Sequence, residues 1–412
     1  MSFVYNCAIL LASFLLHIVA LFQKKIKLFV YGQKKSFQKL ATLKKEDKTI
    51  WIHVASLGEF EQGRPIIERI KKEQPSFKIV LTFFSPSGYE IQKNYELADV
   101  VCYLPMDTRK NAQHFLALVN PVMAIFVKYE FWPNYLRGLQ QRNILTILVS
   151  GIFRKNQLFF KSYGSFMRKS LQTFDHFFVQ DKASKKLLQS INYSNVSISG
   201  DTRFDRVYKI LNQDNELDFI SEFKNSQYTI VAGSTWREDE ELLVNYINNS
   251  KDEKFIIAPH NIHPDDIQKL NKAISKKVVL FSEKQNENLK DYDVFIIDTI
   301  GILTKIYAAS DVAYVGGGLT KNGVHNVLEP ATFGVPIVIG PVYKKYKEVV
   351  DLVDFGGCKV ITNQQEFSAT FLQLKSDQNY RNQLGEINQS YIKNNIGATE
   401  NISTYVNQKL NN

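Results

Sequence analysis

The chain has 412 residues, 44 % of them apolar, and is rich in Phe (29) and Tyr (20). At roughly 150 residues per domain this suggests two or three domains, and the composition excludes a disordered or low-complexity protein. The net charge is +10, and the three cysteines, Cys7, Cys102 and Cys358, are too few and too dispersed for a disulfide framework or a thiolate zinc site.

Residues 3–22 form an uncharged apolar run of about the length needed to cross a hydrocarbon core as a helix. Nine lysines follow between Lys24 and Lys48, opposed only by Glu46 and Asp47. A cleaved signal peptide carries its positive charge before the apolar run, whereas here it comes after. The expectation is an uncleaved membrane-anchor helix at 1–23 and a basic juxtamembrane segment at 24–48. By the positive-inside tendency, the lysines stay cytoplasmic and the body of the protein lies against the inner face of the membrane. Asn6, Ser13 and His17 make the span mediocre and leave open a helix that embeds without spanning. No nucleic-acid-binding module is recognisable, and the adjacent anchor accounts for the basic segment, so no nucleic-acid partner is expected.

Short apolar runs then alternate with amphipathic stretches. The first series comprises residues 51–55, 78–83, 123–127, 144–149 and 176–179. The second comprises 229–233, 254–258, 277–281, 294–297, 312–315, 336–339 and 358–361. Runs apolar on both faces and separated by helical segments are the pattern of parallel strands covered by helices. The fold class is therefore α/β, with two facing Rossmann-like, doubly wound domains. A polar stretch at 209–216 separates a first domain at 49–208 from a second at 217–378, and residues 379–412 read as a polar helix packing back on the first domain.

Four clusters fall at strand ends, where open α/β sheets bind ligands. In the first, Ala55-Ser-Leu-Gly-Glu-Phe60, Gly58 allows a tight turn and Glu59 projects from a strand-to-helix junction. Glu59 reads equally as a general base or as a first-turn acid complementing the helix dipole. The second, Lys128-Tyr-Glu-Phe-Trp-Pro133, sets Glu130 beside aromatic rings. The third is the glycine-rich run from Gly316 to Gly323 followed by Val324-His-Asn-Val-Leu-Glu-Pro-Ala331. Its glycines permit backbone to approach a phosphate, and Glu329 can accept hydrogen bonds from ribose hydroxyls. Neither a Walker A loop nor GxGxxG is matched. The fourth comprises Ala258-Pro-His260 and Asp298-Thr-Ile-Gly-Ile302. His260 and His263 lack the HExxH spacing, and no metal is expected.

Taken jointly, HVASLGE, KYEFWP, GDTRFDRV, VAGSTW, DTIG and GGGLTKNGVHNVLEPATFGVPIVIGP closely resemble the 3-deoxy-D-manno-octulosonic acid (Kdo) transferases, over nearly the whole chain. The Glu-Pro-Ala-x-x-Gly-x-Pro part alone marks the wider GT-B class of nucleotide-sugar glycosyltransferases. The resemblance implies transfer of Kdo from CMP-Kdo to a lipid A precursor in lipopolysaccharide assembly, on the cytoplasmic face of the anionic inner membrane, without cofactor or metal. It implies that Glu59 is the catalytic base and Glu130 a second active-site acid. It further implies that Pro259, His260, Ile300, Gly301, Ile302, Asn326, Val327, Leu328 and Glu329 hold CMP. Two positions depart from the family: His260 stands where Arg is frequent, and Ile302 where Glu is frequent. The nearest rival is another membrane-associated GT-B transferase with a UDP-sugar donor.

Overall fold

The computed structural model describes residues 2–411. Two compact units emerge, one formed by the chain up to Asp205 together with Ile396 onward, the other by Arg206–Asn395. The first contains seven parallel strands: β1 Thr49–Val54, β2 Lys78–Phe83, β3 Val100–Tyr103, β4 Pro121–Val127, β5 Leu145–Gly151, β6 His176–Val179 and β7 Val196–Ile198. Their order is β3-β2-β1-β4-β5-β6-β7. Strand β1 shows why the sheet needs helices on both faces, since all six of its residues are buried. Ile50, Ile52 and Val54 enter one core while Trp51 joins Phe126 in the other, as the two-residue period of a strand requires.

Five of these strands match the expected runs, and two were not anticipated. β7 has only three residues with a serine in the middle, and β3 has four. Each lies at a sheet edge, where half the backbone pairing suffices and little apolar length is needed.

The second unit holds β8 Thr229–Thr235, β9 Lys254–Pro259, β10 Val278–Leu280, β11 Val294–Ile296, β12 Val312–Val315, β13 Ile337–Ile339 and β14 Cys358–Val360, all at expected runs. They are parallel in the order β10-β11-β9-β8-β12-β13-β14. In the first sheet the strand sequence reverses direction between β1 and β4; in the second it does so between β8 and β12, and again near the edge, where β11 lies between β10 and β9. Ligands bind outside the carboxyl ends of the strands at such switch points.

The apolar run forms α1, Ser2–Val19, a helix long and apolar enough to cross a membrane. It nevertheless touches the first unit along its length. Tyr5 donates to Asp107 Oδ2 at 2.7 Å, Asn134 donates to Asn6 Oδ1 at 3.0 Å, and Ile9, Ala12 and Leu16 pack on the cluster of Phe29, Val30, Tyr103 and Met106. The opposite stripe, including Phe3, Leu10, Leu11, Phe14 and Ile18, is exposed.

The lysine segment is itself largely a helix, α2, Lys24–Leu40, burying Phe29, Val30, Ser36 and Leu40. Lys24, Lys25, Lys27, Lys34 and Lys35 are exposed. Lys39 instead turns inward, donating to Val101 O and the Tyr89 hydroxyl, so it serves the fold.

The polar C-terminal stretch divides. Helix Gln378–Asn394 belongs to the second unit, where Asn388 donates to Val335 O and Gly357 O. Only helix Ala398–Asn411 joins the first unit, placing Ile402 and Val406 in its core. Asp205 fixes that helix by accepting from Gly397 N, Thr399 N and Thr399 Oγ1 at 2.5–2.7 Å.

Candidate active site

In the first unit the loops after β1 and β4, neighbours across the switch point, carry the two expected carboxylates. Ser56 caps helix α3, Leu57–Glu73, and Glu59 closes a capping box with it. The Ser56 backbone N–H donates to Glu59 Oε2 at 3.1 Å, and Ser56 Oγ also donates to that oxygen. No described residue hydrogen-bonds Oε1. Glu59 is thus a first-turn helix residue that keeps one oxygen free to accept a proton. Gly58 is not explained by a tight turn. It lies inside the helix, and a Cβ there would meet only Ser56 Oγ at 3.7 Å.

After β4, Lys128 adopts a left-handed conformation (φ 71°), and the chain then enters the helix Pro133–Gln141. Glu130 Oε2 lies 2.8 Å from Trp132 Nε1 and 3.1 Å from Nε2 of the fully buried His53. His53 Nδ1 is 2.8 Å from Thr82 Oγ1, which also accepts from Trp51 Nε1 at 2.8 Å. Sequence reasoning passed over His53 because a histidine inside a strand reads as core. Its signal was position, on the strand that leads directly to Glu59. Tyr129 gathers charge nearby: Lys128 and Arg154 sit over its ring at 5.3 and 5.6 Å, and Glu59 is close enough to raise its phenol pKa, which burial raises most. Arg154 was also missed, since nothing in the sequence links it to this loop.

In the second unit the loops after β8 and β12 flank the switch point. Buried Asp239 joins them, accepting from Trp236 N at 2.9 Å, Gly317 N at 2.8 Å and the Tyr314 hydroxyl at 2.6 Å. Burial pushes its carboxyl pKa up against these three hydrogen bonds. The glycines here meet protein backbone. A Cβ on Gly316 would lie 2.5 Å from Ser234 O, one on Gly317 (φ +89°) 2.6 Å from Gly323 O, and one on Gly318 2.6 Å from Gly340 N. Close packing of three loops is therefore by itself enough to require glycine at these three positions.

His325 accepts from Trp236 Nε1 at 2.8 Å through Nε2, and His260 stacks on both rings, at 4.5 Å from His325 and 4.6 Å from Trp236. Burial, followed by the neighbouring His260, lowers the His325 pKa to about 4, and burial also lowers that of His260. Both rings are therefore neutral near pH 7, and His260 does not supply the permanent charge of an arginine. Trp236 and His325 were not singled out as site residues, although both lie within quoted motifs.

Glu329, in the first turn of the short helix Leu328–Thr332, is held from two sides. Thr304 Oγ1 donates to Oε2 at 2.7 Å and Asn326 Nδ2 to Oε1 at 2.9 Å, so each oxygen retains a lone pair for a further donor. Val327 and Leu328 are buried and offer only backbone groups, while Asn326 is exposed. Ile300 is 80 % exposed, and Gly301 (φ +93°) has open space around its Cα. Pro259 ends β9, and Ile302 caps the helix Leu303–Tyr307. No group of three or more His, Cys, Asp or Glu suited to a metal ion occurs among the described residues.

The architecture recurs in the UDP-GlcNAc 2-epimerase of Neisseria meningitidis, bound to UDP-GlcNAc. That structure aligns with 88 % of this chain and 99 % of its own at TM-score 0.59 and 13 % identity, a likeness of fold. Residues 31–206 match the family model for 3-deoxy-D-manno-octulosonic-acid transferase (kdotransferase). Two parallel, doubly wound sheets with acidic and glycine-rich loops at their switch points, together with this match, define a glycosyltransferase of the GT-B class.

The 3-deoxy-D-manno-octulosonic acid transferase of Aquifex aeolicus is 28 % identical over 351 residues, 83 % of this chain and 90 % of that protein. A bifunctional glycosyltransferase/methyltransferase of Fusobacterium nucleatum is 26 % identical over 404 residues, 95 % of this chain but 61 % of its own length. Over most of its length the chain is therefore similar to Kdo transferases, and residues 31–206 match their family model.

Proposed function

We propose that the protein transfers Kdo from CMP-Kdo to the lipid A precursor lipid IVA, with inversion at the anomeric carbon and Glu59 as general base. The observation that carries this reading is the pair of carboxylates at the ends of adjacent strands β1 and β4, each with one oxygen engaged and one uncommitted. The nucleotide already activates the sugar, so the protein must remove the acceptor hydroxyl proton and stabilise the departing phosphate. Glu59 Oε1 takes the proton, and Glu130 orients the reacting sugars. In the second unit, Glu329 accepts from the ribose hydroxyls, and Asn326 and the 300–302 turn complete the CMP contacts. His260 meets the donor as a neutral ring, contributing hydrogen bonding and stacking rather than charge.

The acceptor lies in a bilayer, and α1 fits a helix lying in the interfacial plane. Protein contacts on one side from Tyr5 to Leu16 leave the stripe of Phe3, Leu11 and Phe14 for the acyl region. The exposed lysines of α2 then meet anionic headgroups on the cytoplasmic face. The test is an assay of detergent-solubilised protein with CMP-Kdo and lipid IVA, reading product mass and CMP release. Transfer by the wild type, lost in Glu59→Gln, supports the reading. Well-folded wild type that leaves CMP-Kdo intact sinks it and turns attention to UDP-sugar donors.

A further inference from the structure

We infer that His53 is a positioning residue for Glu130, held as the neutral Nε2–H tautomer at the end of a one-way chain of donors: Trp51 to Thr82, Thr82 to His53, His53 to Glu130. The inference rests on the active-site reading of Glu130 given above. Its basis is an accounting of donors in a buried space. Thr82 Oγ1 has one proton, and Trp51 Nε1–H already occupies one of its lone pairs at 2.8 Å. Thr82 Oγ1 has His53 Nδ1 at 2.8 Å and Ile52 O at 3.5 Å; with Nδ1 unprotonated the Thr82 proton makes the shorter bond, whereas a proton on Nδ1 leaves it only the longer one. Nδ1 is then an acceptor, and the ring proton sits on Nε2, 3.1 Å from Glu130 Oε2. The opposite tautomer would set the Nε2 lone pair against a carboxylate oxygen and send the Thr82 proton to its poorer partner.

Trp132 Nε1 lies 3.1 Å from His53 Nε2 and 2.8 Å from Glu130 Oε2. With Nε2 protonated, the indole proton goes to the carboxylate, the stronger and nearer acceptor. Glu130 Oε2 thus receives two donors, one from His53 in the sheet and one from Trp132 at the start of helix Pro133–Gln141, which locks the carboxylate plane and directs Oε1 away from them. Because His53 and Thr82 lie on β1 and β2, the chain ties Glu130 to the strand that leads into the first turn of α3, where Glu59 sits. The orientation of one acid is thereby referred to the scaffold of the other.

The experiment pairs kinetics with ¹⁵N-histidine NMR of the full-length protein in detergent, His53 being assigned from the spectrum of His53→Gln. The expected wild-type signature is the neutral Nε2–H form. The glutamine amide can donate to Glu130 while its carbonyl accepts from Thr82, so His53→Gln keeps near-wild-type kcat with CMP-Kdo and lipid IVA. His53→Leu lowers kcat by roughly 10- to 100-fold, the size usual for loss of an orienting partner, with KM for CMP-Kdo unchanged. Should the leucine variant not fold, Thr82→Val removes the donor to Nδ1 without touching the ring and lowers kcat with the tautomer no longer fixed. An Nδ1–H or imidazolium signature, or equal kcat in the leucine and glutamine variants, or unaltered kcat in Thr82→Val, overturns the proposal. Glu130→Gln serves as the control. If it transfers at the wild-type rate, the reading of Glu130 itself has failed, and the NMR signature still decides the direction of the chain.

Discussion

Ser56 and Glu59 meet at a single carboxylate oxygen, so the residue that caps α3 also fixes the acid assigned as base. Glu59→Gln keeps a side-chain acceptor at this position and should fold with little change in stability. Loss of a general base lowers turnover by about 10²- to 10⁴-fold, read as product formed from CMP-Kdo. Ser56→Ala removes only the hydroxyl. It should cost about 1 kcal/mol of stability in denaturant titration and lower turnover far less than Glu59→Gln.

Glu329 owes its placement to Thr304 and Asn326. Thr304→Val deletes one donor at nearly constant volume. The expected outcome is weaker CMP binding by titration calorimetry, by about 1 kcal/mol or some fivefold, with kcat at saturating donor nearly retained.

The histidine pair of the second unit sets a pH dependence of stability. The folded-state pKa of His325, about 4, lies below the ordinary value of 6.5, so the unfolded chain binds more protons between those limits. Stability therefore falls as pH drops from about 6.5 towards 4 and stops falling on this account below that. His260 adds in the same sense, because burial lowers its pKa too. Urea unfolding at pH 7 and pH 5 should show a smaller acid loss in His325→Gln than in the wild type. Equal losses would show that His325 does not carry this dependence.

Two glycines separate by conformation. Gly317→Ala faces both a positive φ and a backbone oxygen 2.6 Å from the new Cβ, and should destabilise by about 1–3 kcal/mol. Gly58→Ala has room and a helical backbone, and should leave stability unchanged or raise it by up to about 1 kcal/mol. Thermal unfolding of the two variants decides this.

The exposed stripe of α1 is testable by flotation with vesicles of mixed anionic and neutral lipid. Leu11 and Phe14 each contribute about 1.5–3 kcal/mol when buried in an apolar phase. Leu11→Glu combined with Phe14→Glu should therefore weaken vesicle binding by at least about 100-fold. Binding at the wild-type level would remove α1 from the membrane contact.

Most of the architecture was legible because strands buried on both faces write themselves as apolar runs, and all seven runs of the second series became strands. Edge strands β3 and β7 were not, since pairing on one side supports segments too short to show a pattern. Glu59, Glu130 and Glu329 were legible as acids at strand ends. Their partners were harder to read. His53 and Thr82 are polar residues inside strands, where the apolar pattern hides them, and they reach Glu130 only through the register of β1 against β2 and β4. Gly58 and the Gly316–Gly318 run were noticed for their residue type, but only the packing around them distinguishes an unneeded glycine from a required one.

The hook that Asp205 makes with the N-terminus of helix Ala398–Asn411 bears on how the protein is made. Residues 206–395 form an uninterrupted unit that can complete its core as soon as they have left the ribosome. The unit begun earlier in the chain must wait for its closing piece, because Ile402 and Val406 fill the core beneath α3 and are synthesised only after the whole of the second unit. Until they arrive, that apolar surface stays open to chaperones or to other nascent chains. The half translated first is thus the half finished last.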